Sequence, residues 1–152
     1  MIDVWLTGEA LDPAAALAKL GEDPDVGAVA TFLGLCRGEA GRLSALELEH
    51  YPGMAEAEIT RIAETAMGRW PVRAIVAVHR YGLVKVGEPI VFVGATSSHR
   101  DAAFDAVRFV MDFLKTDAPF WKREHLVDGT TGPWVEANQA DDLARERWAA
   151  KG

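Results

Sequence analysis

Arg73-Ala74-Ile75-Val76-Ala77-Val78-His79-Arg80-Tyr81 and Pro89-Ile90-Val91-Phe92-Val93-Gly94-Ala95-Thr96 are two apolar, β-branched runs joined by the glycine-bearing connection Gly82–Gly87. Each run has the length and composition of a strand. A connection this short leaves no room for a helical crossover, so the two strands pair antiparallel. Hairpin-like joins of this kind predict an α+β fold rather than a doubly wound parallel sheet.

Working outward, Ser97-Ser98 leads into a helix whose apolar stripe is Ala103, Val107, Val110, Met111 and Leu114, with Ser98 and Asp101 at capping-box spacing. Pro52 opens an earlier helix through Ile59, Ile62, Ala63, Ala66 and Met67. Leu43–His50 and Gly27–Leu33 read as strands, separated by the glycine-rich loop Gly34–Gly41. Ile2, Val4 and Leu6 alternate with Asp3, Trp5 and Thr7 as in a half-buried strand. Asp12 caps a short helix with Pro13 at its first position, running through Ala14–Leu20 to a stop at Gly21. Phe120–Val127 and Trp134–Ala137 are expected to form a hairpin around Asp128–Pro133. No repeat or linker divides the chain. The expected organisation is one domain over 1–140, a main sheet covered by helices with a smaller β lobe, and a charged tail over 141–152 that forms a short helix.

The 152 residues carry a formal charge of −7, from 16 basic and 23 acidic side chains. A field of that sign argues against nucleic acid or an anionic membrane as partner, because phosphate surfaces demand a basic face. It leaves room for a small anion in a local basic pocket. No apolar run approaches the roughly 18–20 residues that span a bilayer, and Met1-Ile2-Asp3-Val4 does not begin a secretory leader. The single cysteine, Cys36, has no internal disulfide partner. A cytoplasmic location is the expectation.

Familiar catalytic patterns are missing: no phosphate loop with its lysine, no G-x-S-x-G elbow, no paired cysteines or H-x-x-x-H among His50, His79, His99 and His125. No metal is expected. Cys36 beside Arg37 reads more simply as a small buried residue than as a nucleophile. His99-Arg100, at a strand-to-helix junction where free backbone N–H groups attract anions, reads equally as an anion site or as a solvated helix end. Lys115 sits where a lysine complements a helix C-terminus. Lys122 alternates with aromatics in Phe120–Glu124. Phe120, Lys122 and Glu124 share one face of that strand, and Trp121, Arg123 and His125 share the other. A desolvated lysine there suits acid–base chemistry, and an edge-strand guard is the plain alternative.

Five segments in order resemble the large subunit of molybdopterin synthase: G-A-V-A-T-F-L-G-x-x-R (Gly27–Arg37), L-E-L-E-H-Y-P-G-M (Leu46–Met54), I-V-F-V-G-A-T-S-S-H-R (Ile90–Arg100), D-F-L-K-T-D-A-P-F-W-K-R-E (Asp112–Glu124) and W-V-E-A (Trp134–Ala137). The resemblance implies an α/β-hammerhead-like fold and a sulfurtransferase of molybdenum cofactor biosynthesis. Such an enzyme converts cyclic pyranopterin monophosphate to molybdopterin. Its sulfur comes from the C-terminal glycine thiocarboxylate of a small ubiquitin-like subunit, with no cofactor, in a homodimer carrying two small subunits.

The resemblance also implies Lys115 and Lys122 as catalytic residues. It implies a substrate pocket of Leu35, Cys36, Arg37, His99, Arg100, Lys115, Lys122, Arg123 and Glu124. Arg37, His99 and Arg100 would take the phosphate and pterin, Lys115 the developing charge at the thiocarboxylate carbon, and Lys122 the protons. Leu35 stands where family members carry Lys, and Asn138 where some carry Arg reaching the neighbouring subunit. A catalytically silent partner-binding module of the same fold is the rival expectation; the presence of both lysines argues against it.

Overall fold

The computed structural model describes residues 1–136 together with Glu146, Trp148 and Ala149. In chain order these form β1 (Ile2–Thr7), α1 (Pro13–Ala18), β2 (Ala28–Leu35), β3 (Leu43–His50), α2 (Met54–Arg69), β4 (Val72–Arg80), β5 (Gly82–Lys85), β6 (Pro89–Ser97), α3 (Arg100–Asp117) and β7 (Phe120–Leu126).

The two apolar runs are β4 and β6, paired antiparallel from Val72 opposite Ser97 to His79 opposite Val91. They form the centre of a four-stranded sheet ordered β1-β4-β6-β2. Both faces of that centre are covered, which is why the runs are nearly continuous in apolar residues. Ile75, Ala77, Val93 and Ala95 pack under α2 and α3 with Ile59, Ile62 and Val110. On the opposite face Val76, Val78 and Phe92 meet Ala16, Leu11 and Leu20 around α1. β2 extends the sheet antiparallel to β6, and β1 joins the far edge parallel to β4. A Cβ on Gly27 would run into the carbonyl oxygen of Ser98. Glycine therefore lets the start of β2 lie against the start of α3.

The smaller lobe is the antiparallel sheet β5-β3-β7, with Cys36, Leu43, Leu48 and Val84 as its core. Here the Gly82–Gly87 connection proves to be more than a turn. Gly82, at φ +84°, redirects the chain out of β4, and residues Gly82–Lys85 pair with Leu48–Ala45 of β3. One hairpin thus contributes to both sheets.

Asp12 caps α1 as expected, its Oδ1 accepting from Ala14 N and Ala15 N at 3.1 and 3.2 Å, although the helix ends at Ala18, short of the expected Leu20. The Ser98–Asp101 capping box does not form. His99 is the cap residue of α3, while Ser98 Oγ donates to Asp25 O and Ser97 Oγ donates to Pro71 O, so the hydroxyls tie the junction to neighbouring loops. α2 begins at Met54 behind Gly53 (φ +83°) rather than at Pro52. Of the expected strand Trp134–Ala137, the described residues 134–136 make one isolated bridge, Val135 exchanging 2.7 and 2.9 Å bonds with Lys122, while a second bridge joins His125 to Thr131 inside the expected turn. Ala137, Asn138 and most of the tail over 141–152 lie outside the described residues. Trp148 returns to the main domain. Its indole is 2% exposed, lies edge-on to Trp70 and Phe109, and donates from Nε1 to Asp112 Oδ2 at 2.6 Å. Among the described residues no helix is long and apolar enough to cross a membrane.

Candidate active-site cleft

α3 ends at Asp117 and β7 begins at Phe120, so the chain turns from the main sheet into the small lobe within three residues. Lys115, in the last turn of α3, and Lys122, on β7, therefore line one cleft of about 820 Å³ between the two sheets. Its apolar wall includes Leu33, Leu35, Met111, Leu114 and Phe120. A concave, largely apolar site with a few polar groups is the usual form of a small-ligand pocket. The Lys nitrogens are donors only, so they suit an anion.

The alternation along β7 holds. Phe120, Lys122 and Glu124 face the cleft. Arg123 and His125 turn to the other side of the sheet, where Arg123 Nε donates to Glu47 Oε1 at 2.8 Å and His125 Nε2 lies 2.9 Å from the same oxygen. The Arg123 guanidinium also stands over the Trp134 ring at 4.6 Å. Hydrogen bonds from His125 and Arg123 hold the Glu47 carboxyl below the usual carboxylate range. Arg123, expected among the pocket residues, is occupied behind the sheet.

Cys36 is likewise behind the wall. Leu35 and Arg37 line the cleft, whereas Cys36 is buried in the small-lobe core, where burial pushes its thiol pKa up. That shift disfavours a thiolate at neutral pH. Arg37 is at the rim, donating to Glu39 Oε1 at 3.1 Å.

Glu124 faces the cleft but does not stand alone. Arg42 grips it with two bonds, 2.9 and 3.2 Å, and that hydrogen bonding holds its carboxyl below its ordinary value. The bridge secures the loop before β3, in which Glu39 (φ 53°), Ala40 (φ 57°) and Gly41 (φ 85°) are successively left-handed. Glu39 and Ala40 pay a steric cost there that glycine would avoid.

His99 and Arg100 are exposed at the opposite end of α3 from Lys115. Fifteen residues of helix at the α-helical rise separate Arg100 from Lys115 by roughly 22 Å. Within one chain the two groups do not converge. Asn138 is outside the described residues.

Sequence reasoning missed His79. It lies on β4, on the face shared with Ile75 and Ala77, and lines the cleft beneath the end of α3. Its ring stacks on Phe120 with centroids 4.0 Å apart and planes 20° apart. Nδ1 lies 2.8 Å from the carbonyl oxygen of Arg80 and therefore carries the proton. Burial, with smaller effects from the charges of Lys115 and His50, depresses its pKa to about 4. The available signal was positional: a histidine in phase with the inward side of a buried strand. Among the described residues no group of three or more His, Cys, Asp or Glu side chains is arranged to hold a metal.

These features define an α+β protein with a cleft at the junction of two sheets, lined by two lysines and a neutral histidine. The family described as MoaE protein matches residues 6–117. The molybdopterin synthase catalytic subunit of Brucella melitensis is 53% identical over 148 residues, covering 97% of this chain and 91% of that relative. The one from Rhizobium meliloti is 61% identical over 127 residues, 84% and 82% of the two chains. Among solved structures, the molybdopterin biosynthesis MoaE protein of Burkholderia ambifaria superposes with a TM-score of 0.84 at 42% identity, covering 98% of this chain and 99% of that one. The chain belongs to the MoaE family.

Proposed function

We propose that this chain is the catalytic subunit of a molybdopterin synthase, transferring sulfur from the C-terminal thiocarboxylate of a small ubiquitin-like subunit to cyclic pyranopterin monophosphate to build the dithiolene. The observation that carries this reading is the placement of Lys115 and Lys122 in one apolar cleft, in a chain whose relatives are named catalytic subunits of that enzyme. A thiocarboxylate and a cyclic phosphate are both anionic, and the low-dielectric apolar wall of the cleft strengthens their attraction to ammonium groups. The carrier's sulfur is the nucleophile, so a buried, un-ionised Cys36 is no obstacle.

Lys115 stabilises charge developing at the thiocarboxylate carbon, and Lys122 moves protons as the cyclic phosphate opens. Leu35, Arg37 and Glu124 shape the mouth, Glu124 through its grip on Arg42. The proposed assembly is a cytoplasmic homodimer with one small subunit per chain, working without a resident cofactor. Given the separation along α3, His99 and Arg100 reach a lysine cleft only by serving that of the second copy.

The test is direct: purified protein, thiocarboxylated small subunit and cyclic pyranopterin monophosphate are mixed, and dithiolene product is measured. Absence of product, while a reference synthase works under the same conditions, sinks the assignment and favours the silent binding module.

A further inference from the structure

The mechanism just described gives His79 no task, yet its geometry is specific. Nδ1 is committed to the Arg80 carbonyl, so in the neutral ring Nε2 carries a lone pair. Nε2 accepts no hydrogen bond among the described residues, and the side-chain nitrogens sealed from solvent without a hydrogen bond there are Arg80 Nε and Nη1 instead, the latter 3.5 Å from Glu88 Oε2. Nε2 therefore opens onto the cleft that His79 lines. Stacking on Phe120 fixes the plane of the ring and the direction of that lone pair.

The rest of the cleft makes an acceptor valuable. Lys115 and Lys122 only donate. The carboxylates of Glu39 and Glu124 already accept from Arg37 and Arg42, and Glu136 is exposed. A ligand drawn in by the lysines thus meets, beneath the end of α3, a neutral acceptor whose direction the Phe120 stack fixes.

We propose that His79 Nε2 accepts a hydrogen bond from an N–H group of the ligand held against Lys115, making His79 a specificity-determining residue of this cleft. The inference rests on the proposed sulfur-transfer reading, whose two ligands each bring such a donor: the backbone amide beside a carrier's terminal glycine, and the ring N–H groups of a pterin. A neutral acceptor discriminates where a third cation would not, because an analogue lacking the donor leaves the lone pair unpaired in a desolvated site.

Three variants separate this role from packing. His79→Gln places an acceptor oxygen near the position of Nε2, His79→Asn keeps a donor for the Arg80 carbonyl without that acceptor, and His79→Phe keeps the stack alone. For each, the dissociation constant for the small subunit, the KM for cyclic pyranopterin monophosphate with saturating thiocarboxylated partner, and the thermal midpoint are measured. The expected result is a loss of about 10-fold in one of the two ligand constants for Asn and Phe, with most of it recovered in Gln. A loss confined to the dissociation constant assigns the N–H to the carrier tail; a loss confined to KM assigns it to the pterin. If Phe does not fold, the comparison of Asn with Gln decides alone. Constants that stay within twofold of the parent, or that track the thermal midpoint with Gln no better than Asn, overturn the inference. An inactive parent protein overturns the sulfur-transfer reading instead.

Discussion

Acidification from pH 7 to pH 5 should destabilise this protein through His79, over a range in which carboxylates contribute little. The unfolded chain protonates this imidazole near its ordinary value of 6.5, whereas the fold resists protonation until about pH 4. Its contribution to stability is therefore complete above pH 6.5, declines as the pH falls, and is lost once the pH has passed through about 4. The full span is worth about 3 kcal/mol, and the part between pH 7 and pH 5 about 2 kcal/mol. For a chain of this size that corresponds to a fall of roughly 4–8 °C in Tm. Urea unfolding at pH 7, 6 and 5, at fixed ionic strength and protein concentration, measures it in the parent and in His79→Gln. Every other titrating group is common to both, so the difference between the two curves isolates the imidazole. The carboxyls of Asp23, Glu47, Glu88 and Glu124, held low by their partners, lose their contributions in the same direction but at lower pH. Parallel stability curves for the two proteins would refute the burial of a neutral His79.

Further outcomes follow from the same geometry. Lys115→Ala is expected to cut turnover by at least about 100-fold while leaving Tm nearly unchanged, because Lys115 is exposed in the last turn of α3; near-normal turnover removes it from the mechanism. Gly27→Ala should cost about 1–3 kcal/mol in urea unfolding, since the new methyl meets the backbone oxygen of Ser98 rather than a flexible side chain; a neutral result would show that β2 and α3 are not in close contact. Trp148→Ala should cost about 3–5 kcal/mol, because it empties the space beside Trp70 and Phe109 and removes the bond to Asp112; a loss under about 1 kcal/mol would mean that the indole is not docked there in solution.

The fold was legible where one period ran long enough to be unambiguous. Leu43–His50 is β3 to the residue, and the runs over 73–81 and 89–96 are the central strands within a residue or so of their expected ends. The alternation over Phe120–His125 sorted that strand's two faces correctly. Failure came where the deciding contact is non-local. β5 spans only Gly82–Lys85, too short to display a period, and it is a strand because β3 lies beside it. The Ser98–Asp101 spacing matched a cap, but Asp25 and Pro71 offered the two hydroxyls better-placed carbonyls. The parallel pairing of β1 with β4 joins the first strand to one about seventy residues on, beyond the reach of any local pattern.

The site divides along the same line. Position alone made Lys115 a helix-end charge and Lys122 a strand guard; they share a cleft because the chain reverses between Asp117 and Phe120, and only the family frame foretold that. The same frame grouped Cys36 and Arg123 with the lysines, but neighbours on an extended strand point to opposite sides. Arg123 follows Lys122 on β7 and so faces Glu47 and Trp134. Cys36 lies between two cleft-lining residues and so faces the lobe core. His79 is the converse case. A histidine amid Val76, Ala77 and Val78 looks like an occasional core polar residue, and nothing local distinguishes a satisfied imidazole from one with a nitrogen to spare. The difference arises only when Arg80 supplies an acceptor for Nδ1, Phe120 arrives from forty residues away to cover the ring, and the end of α3 leaves Nε2 uncovered. A lone pair set in that way beside two ammonium groups selects among anions by their N–H donors, which net charge alone does not do.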